Sequence, residues 1–194
     1  KNSQRQWDRS FFIQGVFQKS ITPKYDLLIN AKYAYDHMRY LNPDTTLMLI
    51  DNTFNQRETY ISAANKYSIT RKWDAVLSAD FQYNTLTSDL AGFVYPKRLT
   101  SLIALASAAD LGKVKMQGSL LATVVNERIN SGNTAADDSV KAAPDKKELT
   151  PAFFVSYKPF KNRNFNIRAF YKHIFRMPTF NDLYYTDIGN IHLK

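Results

Sequence analysis

Apolar and polar residues alternate along much of this chain. From Tyr25 the odd positions read Tyr25, Leu27, Ile29, Ala31, Tyr33 and Tyr35, while Asp26, Asn30, Lys32 and Asp36 stand at even ones. A period of two puts successive side chains on opposite faces of a pleated strand, so the stretch predicts a strand with one apolar face. The clearest case starts at Trp73, where Trp73, Ala75, Leu77, Ala79, Phe81 and Tyr83 oppose Asp74, Ser78, Asp80, Gln82 and Asn84. Beyond Lys113 the parity reverses: Val114, Met116, Gly118, Leu120, Ala122 and Val124 face away from Lys115, Gln117, Ser119, Thr123 and Glu127. Weaker alternation covers Arg9 to Lys19, Gln56 to Thr70, Arg98 to Ala109, Leu149 to Lys158 and Asn164 to Ile174. The pattern predicts about eight strands of roughly 10 to 16 residues, longer than the usual five or six.

The connections alternate too. Short ones fall at Ser20 to Lys24, Arg71-Lys72, Asp110 to Gly112 and Pro159 to Arg163, where Pro, Asp, Gly and Asn supply turn chemistry. Longer ones are expected at Leu41 to Asn55, Thr87 to Pro96, Asn130 to Glu148 and everywhere after Arg176. The expected fold is all-β, an antiparallel up-and-down meander. Short turns on one rim and long loops on the other make it part of a larger transmembrane β-barrel, its short turns periplasmic and its long loops extracellular. Aromatic placement agrees, with Tyr25, Trp73 and Phe165 beside short turns and Tyr35 and Tyr83 near the opposite strand ends, as interfacial girdles require. A soluble β-barrel or sandwich also alternates, but its closed core favours branched aliphatics; here Ala, Gly and Tyr share the apolar face and polar residues run along whole strands.

Composition sharpens this picture. Hydrophobic residues make up 44% and aromatics 14% of the 194 residues, which favours strands over helices. Mean hydropathy is −0.39, and no apolar run reaches the roughly 18 residues a transmembrane helix needs. Alternating barrel strands average to just such a polar score. There is no Cys, so disulfides and thiolate metal sites are excluded. The start at Lys1-Asn2-Ser3-Gln4 has neither an initiator Met nor the apolar core of a signal peptide, and the reading expects both ends to be cut from a longer chain. The region 1–194 is taken as one partial barrel.

The net charge of +9 raises nucleic acid, anionic lipid and lipopolysaccharide as partners. Lys19, Lys24, Arg71, Lys72, Lys113, Lys115, Lys158, Lys161 and Arg163 flank the short turns and do not stripe one face with interleaved aromatics. That distribution disfavours nucleic acid and fits side chains that snorkel towards lipid headgroups. His37, His173 and His192 lack metal-ligand spacing, and the Asp137-Asp138 loop lacks that of a calcium loop. With no phosphate cradle, nucleophile elbow or paired catalytic carboxylates, neither enzyme activity nor a cofactor is expected.

The most specific signal lies near the C-terminal end. Ile174-Phe175-Arg176-Met177-Pro178-Thr179-Phe180-Asn181-Asp182-Leu183-Tyr184-Tyr185, followed by Gly189-Asn190-Ile191-His192-Leu193-Lys194, resembles the barrel motif of TonB-dependent outer-membrane receptors. The matching positions are Phe175, Arg176, Pro178, Leu183, Tyr184, Gly189, Asn190 and Leu193. Physically, Pro178 blocks a strand ladder, and Asn181-Asp182 and Gly189-Asn190 offer turns, so an extracellular loop is expected. The resemblance implies a 22-stranded outer-membrane barrel around a plug domain, which this sequence lacks, and uptake of a scarce nutrient driven through TonB. Iron siderophores, cobalamin, haem and glycans are such ligands. Haem is disfavoured, because no His lies between the two boxes and His192 sits inside the second. Asn181, Asp182, Tyr184 and Tyr185 are the candidate ligand contacts; a soluble β-binding domain and a passive porin are the rival readings.

Overall fold

The computed structural model describes residues 4–43, 50–130, 142–160 and 164–184. Eight strands run in sequence order: β1 (Arg5–Thr22), β2 (Tyr25–Asn42), β3 (Ile50–Thr70), β4 (Trp73–Ser88), β5 (Tyr95–Asp110), β6 (Val114–Asn130), β7 (Lys146–Tyr157) and β8 (Ile167–Lys172). Each pairs antiparallel with the next in a single sheet ordered β1 to β8. β1 and β8 are its two edges and do not pair with each other, so the sheet does not close, as a part of a larger barrel would not.

Register carries the alternation across strands. Tyr25 opposes Tyr67, Tyr67 opposes Ala75, Ala75 opposes Ser107, Ser107 opposes Gly118, and Gly118 opposes Phe153. The apolar positions read on β2, β4 and β6 therefore fall on one face, although their parity in the sequence differs. That face carries Ile61, Leu77, Phe81, Ile103, Leu105, Leu120 and Leu149, all exposed, with Leu105 at 54%. A broad exposed apolar surface of this kind marks contact with lipid or another protein. Tyr25, Tyr67, Trp73 and Tyr157 edge it at the short-turn rim, and Tyr33, Tyr35 and Tyr83 at the other. At about 3.3 Å per residue and a strand tilt of about 40°, the rise from Trp73 to Tyr83 covers about 25 Å, the height of an outer-membrane apolar band.

The strands outrun the alternation. β3 begins at Ile50, not Gln56, and has 21 residues, so β2 and β3 remain paired through much of the expected Leu41 to Asn55 loop. Beyond the band both faces of a strand meet water, and the apolar periodicity fades while backbone pairing continues. β8, with six residues, is shorter than the Asn164 to Ile174 stretch predicted for it. Phe165 consequently lies before the strand, its ring 6.3 Å from that of Phe160. Residues 44–49, most of the Asn130 to Glu148 loop including Asp137 and Asp138, and Lys161 and Arg163 fall outside the described residues.

Two of the short turns are built alike. Ser20 Oγ donates to Asp26 at 2.5 Å and Ser68 Oγ to Asp74 at 2.6 Å, while Lys24 N and Lys72 N donate to the hydroxyls of Thr22 and Thr70 at 3.3 and 3.2 Å. Ser-Ile-Thr-Pro-Lys-Tyr-Asp and Ser-Ile-Thr-Arg-Lys-Trp-Asp are two copies of one turn, each with a register shift between its Ser and Thr. The β5–β6 turn instead uses Gly112 at φ +82°, where a side chain would be strained. Among the described residues no helix is long and apolar enough to cross a membrane, which says nothing about crossing by strands.

Candidate functional site

The polar face of the sheet is covered near its long-loop rim. After β8 the chain does not stay at the rim but passes over this face as a strap, residues 174–184, ending in the short helix α1 (Phe180–Tyr184). Phe180 and Leu183 are buried there with Leu86, Phe93 and Ala143, and Phe54, Leu90, Val94, Tyr95 and Ile129 pack around them. Leu183 is 2% exposed. Phe93 meets Phe54 edge-on at a ring separation of 5.8 Å.

Arg98 fixes the strap to the sheet. On β5 it stands opposite Asn84 of β4 and Glu127 of β6, and its guanidinium pairs with the Glu127 carboxylate, whose side chain is fully buried. Its Nη1 donates to the Pro178 carbonyl at 2.8 Å, and the guanidinium carbon lies 4.5 Å from the centre of the Phe180 ring. One side chain thus satisfies a carboxylate, a strap carbonyl and an aromatic face, a combination that suits the planar fork of Arg. Lower on the same face Glu58 accepts from Lys32 Nζ at 3.0 Å and from Gln82 Nε2 at 2.8 Å.

The helix has its own cap. Thr179 Oγ1 accepts from Asp182 N at 3.2 Å, and the Asp182 carboxylate accepts from Thr179 N at 2.7 Å and Thr179 Oγ1 at 2.8 Å. This is a reciprocal capping box with Asp in place of Glu. The donation from the Thr179 backbone N–H, then that from its hydroxyl, holds the Asp182 carboxyl below the usual carboxylate range. The expected turn at Asn181-Asp182 is therefore a helical turn, because Thr179 supplies an N-cap that the loop reading passed over.

Beside the strap lies a cleft of about 390 Å³, within the range of small-molecule sites. Asp8 and Asp36 line it together with the apolar side chains of Met38, Phe54, Phe93 and Phe180. His37 borders it and shares the Asn55 amide oxygen with Tyr35, at 2.8 and 2.7 Å. Among the described residues no group of His, Asp or Glu side chains could hold a metal ion.

Of the residues singled out from the sequence, Leu183 and Pro178 are buried and structural. Phe175 is half-buried and Arg176 exposed. Asp182 is exposed and engaged in the cap. The side chains of Asn181 and Tyr184, and all of Tyr185, Gly189, Asn190 and Leu193, lie outside the described residues. The anchors Arg98 and Phe180 and the cleft residues Asp8, Asp36 and Phe93 went unread; the one available signal was an Arg and a Glu, at 98 and 127, on the polar parity of neighbouring strands.

Residues 1–194 match a protein-family model described as TonB dependent receptor-like, beta-barrel. No curated protein matches the chain.

Proposed function

The chain belongs to the TonB-dependent receptor-like β-barrel family, and from that premise we propose that it forms part of an outer-membrane receptor taking up a scarce nutrient such as an iron siderophore or cobalamin. The family is an outer-membrane family whose members are receptors and transporters, and uptake through them depends on TonB. The observation that carries the proposal is the division of the sheet into an exposed apolar band on one face and, on the other, a polar face holding a cleft. A passive porin does not require such a cleft, and a soluble domain does not require the band.

In this reading the apolar face meets lipid and the polar face surrounds a plug through which TonB acts. The ligand enters at the long-loop rim and meets the cleft, with Asn181, Asp182, Tyr184 and Tyr185 of the strap and the segment after it as contacts. Carboxylates at Asp8 and Asp36 beside aromatic walls favour a ligand with hydrogen-bond donors or positive charge around an apolar body. Outer-leaflet lipopolysaccharide is its lipid partner, and the chain has no catalytic part.

Cells carrying the receptor and cells lacking it are compared for accumulation of labelled ferric siderophore and labelled cobalamin, with and without a protonophore. The expected result is receptor-dependent accumulation of one of them that stops when the proton gradient collapses. Accumulation indifferent to the protonophore makes the protein a porin. A protein monodisperse without detergent, its Leu77 and Leu105 buried, makes it a soluble domain.

A further inference from the structure

The cleft beside the strap is supplied with hydrogen-bond acceptors and not with cations. Ser10, Asp36 and Gln56 occupy one register row on β1, β2 and β3, and Leu86 continues it on β4. Asp8 stands one row nearer the long-loop rim, opposite Met38 and diagonal to Asp36. These polar residues share the parity of Glu58 and Arg98, and so the inner face of the sheet. Among the described residues that line the cleft none is Lys or Arg. His37 has the opposite, outward parity, and its Nδ1 lies 2.8 Å from the Asn55 amide oxygen.

Donors for these acceptors are scarce. The ion pairs of the described residues engage Asp51, Glu58, Asp74, Asp110 and Glu127, and none reaches Asp8 or Asp36. Gln6 Nε2 donates to the two Asp8 oxygens at 3.1 and 3.0 Å, and Asp36 has no side-chain partner among the described residues. The shortage continues one row nearer the short-turn rim. There Asn84 follows Leu86 on the inner face of β4, is 9% exposed, and has an Oδ1 that meets no donor. Diagonal neighbours on paired strands stand about 7–8 Å apart, so one positive charge can serve Asp8 and Asp36 together. Without it the two carboxylates repel each other.

We propose that the cleft is a subsite for a protonated alkyl amine carried by the transported nutrient, with Asp36 and Asp8 as its charge partners. The proposal rests on the uptake reading above and narrows the ligand within it. A primary ammonium brings three donors and no acceptor, which matches two carboxylates beside the oxygens of Ser10 and Gln56. Its methylene stem leaves water against Met38, Phe54 and Phe93, side chains that offer apolar contact and no competing charge. The same carboxylates repel a polyanion. A ferric triscatecholate, a trianion, is thereby disfavoured, and a ferric trihydroxamate with an amine-ended arm is admitted, its iron centre being neutral.

The test uses the whole receptor in nanodiscs of zwitterionic lipid, with empty nanodiscs as the blank. Binding of 4-(4-fluorophenyl)butylammonium, of its N-acetyl amide and of the carboxylate on the same stem is read from fluorine NMR line broadening. The ammonium is expected to bind about tenfold more tightly than either analogue. D36N weakens it about tenfold and D8N/D36N about a hundredfold, one charge-assisted contact being lost at each step. Both changes keep the side-chain shape, and D80N, on the inner face outside the cleft, binds as the unaltered protein does. Equal binding of the amide or the carboxylate, equal binding by D8N/D36N, or a loss in D80N as large as that in D36N overturns the proposal while the uptake reading stands. Cells that accumulate neither nutrient, with ammonium binding still weakened by D36N, remove the transport reading alone.

Discussion

Replacing Arg98 by Leu removes both links through which that side chain holds the strap. A hydrogen bond from a charged donor to a carbonyl contributes about 1.5–3 kcal/mol, here to Pro178. The cation over an aromatic ring contributes about 0.5–2 kcal/mol, here over Phe180. The two share one guanidinium and do not add in full, so strap docking weakens by about 3 kcal/mol, a factor of about a hundred in the docked-to-undocked ratio. Arg176 is exposed within the strap and followed by Met177, which makes a tryptic site that opens when the strap lifts. Cleavage that is slow relative to reclosing follows the open population, so R98L is cut after Arg176 about a hundredfold faster in detergent micelles. Because Glu127 is fully buried and loses its guanidinium, R98L also destabilises the sheet by about 3–5 kcal/mol in urea unfolding. R98L/E127L recovers most of that loss but keeps the fast cleavage. Unchanged cleavage in both variants refutes Arg98 as the anchor, and fast cleavage reversed by E127L refutes the separation of the two roles.

Leu105→Lys, at the middle of the apolar band, lowers unfolding free energy in lipid vesicles by about 2–4 kcal/mol, whereas Ala104→Lys on the polar face changes it by about 0.5 kcal/mol or less. Equal costs at the two sites contradict the assigned faces. Leu183→Ala leaves a hole beneath the strap worth about 2–5 kcal/mol, enough to raise hydrogen exchange across 179–183; protection as in the unaltered protein removes Leu183 from the core. Because the Asp182 carboxyl is held below its ordinary value, its unfolded counterpart takes up a proton first on acidification. The capping contribution is therefore complete above about pH 5 and is lost as pH falls through the lowered value. Exchange of the Leu183 amide, corrected for intrinsic rate, rises over that window in the unaltered protein and not in D182N, and a rise common to both excludes the cap.

The alternation at Trp73 to Tyr83 or Val114 to Val124 is a local property, because a strand with one face in lipid and the other in water must sort residues by two. Recurring alternation and the short-and-long rhythm of the connections determined strand number, antiparallel order, the two rims and the apolar parity from the chain alone, and the Phe175 to Lys194 stretch carried the resemblance to the family. Strand ends were less legible where both faces meet water, as in Ile50 to Asn55, since paired backbone there needs no apolar periodicity. Only the tertiary structure decided the site. Arg98 and Pro178 are separated by 80 positions, and no local pattern announces that the chain after β8 will fold back over the polar face. The strap docks because Phe180 and Leu183 leave water together while Arg98 holds the Pro178 carbonyl just before their helix.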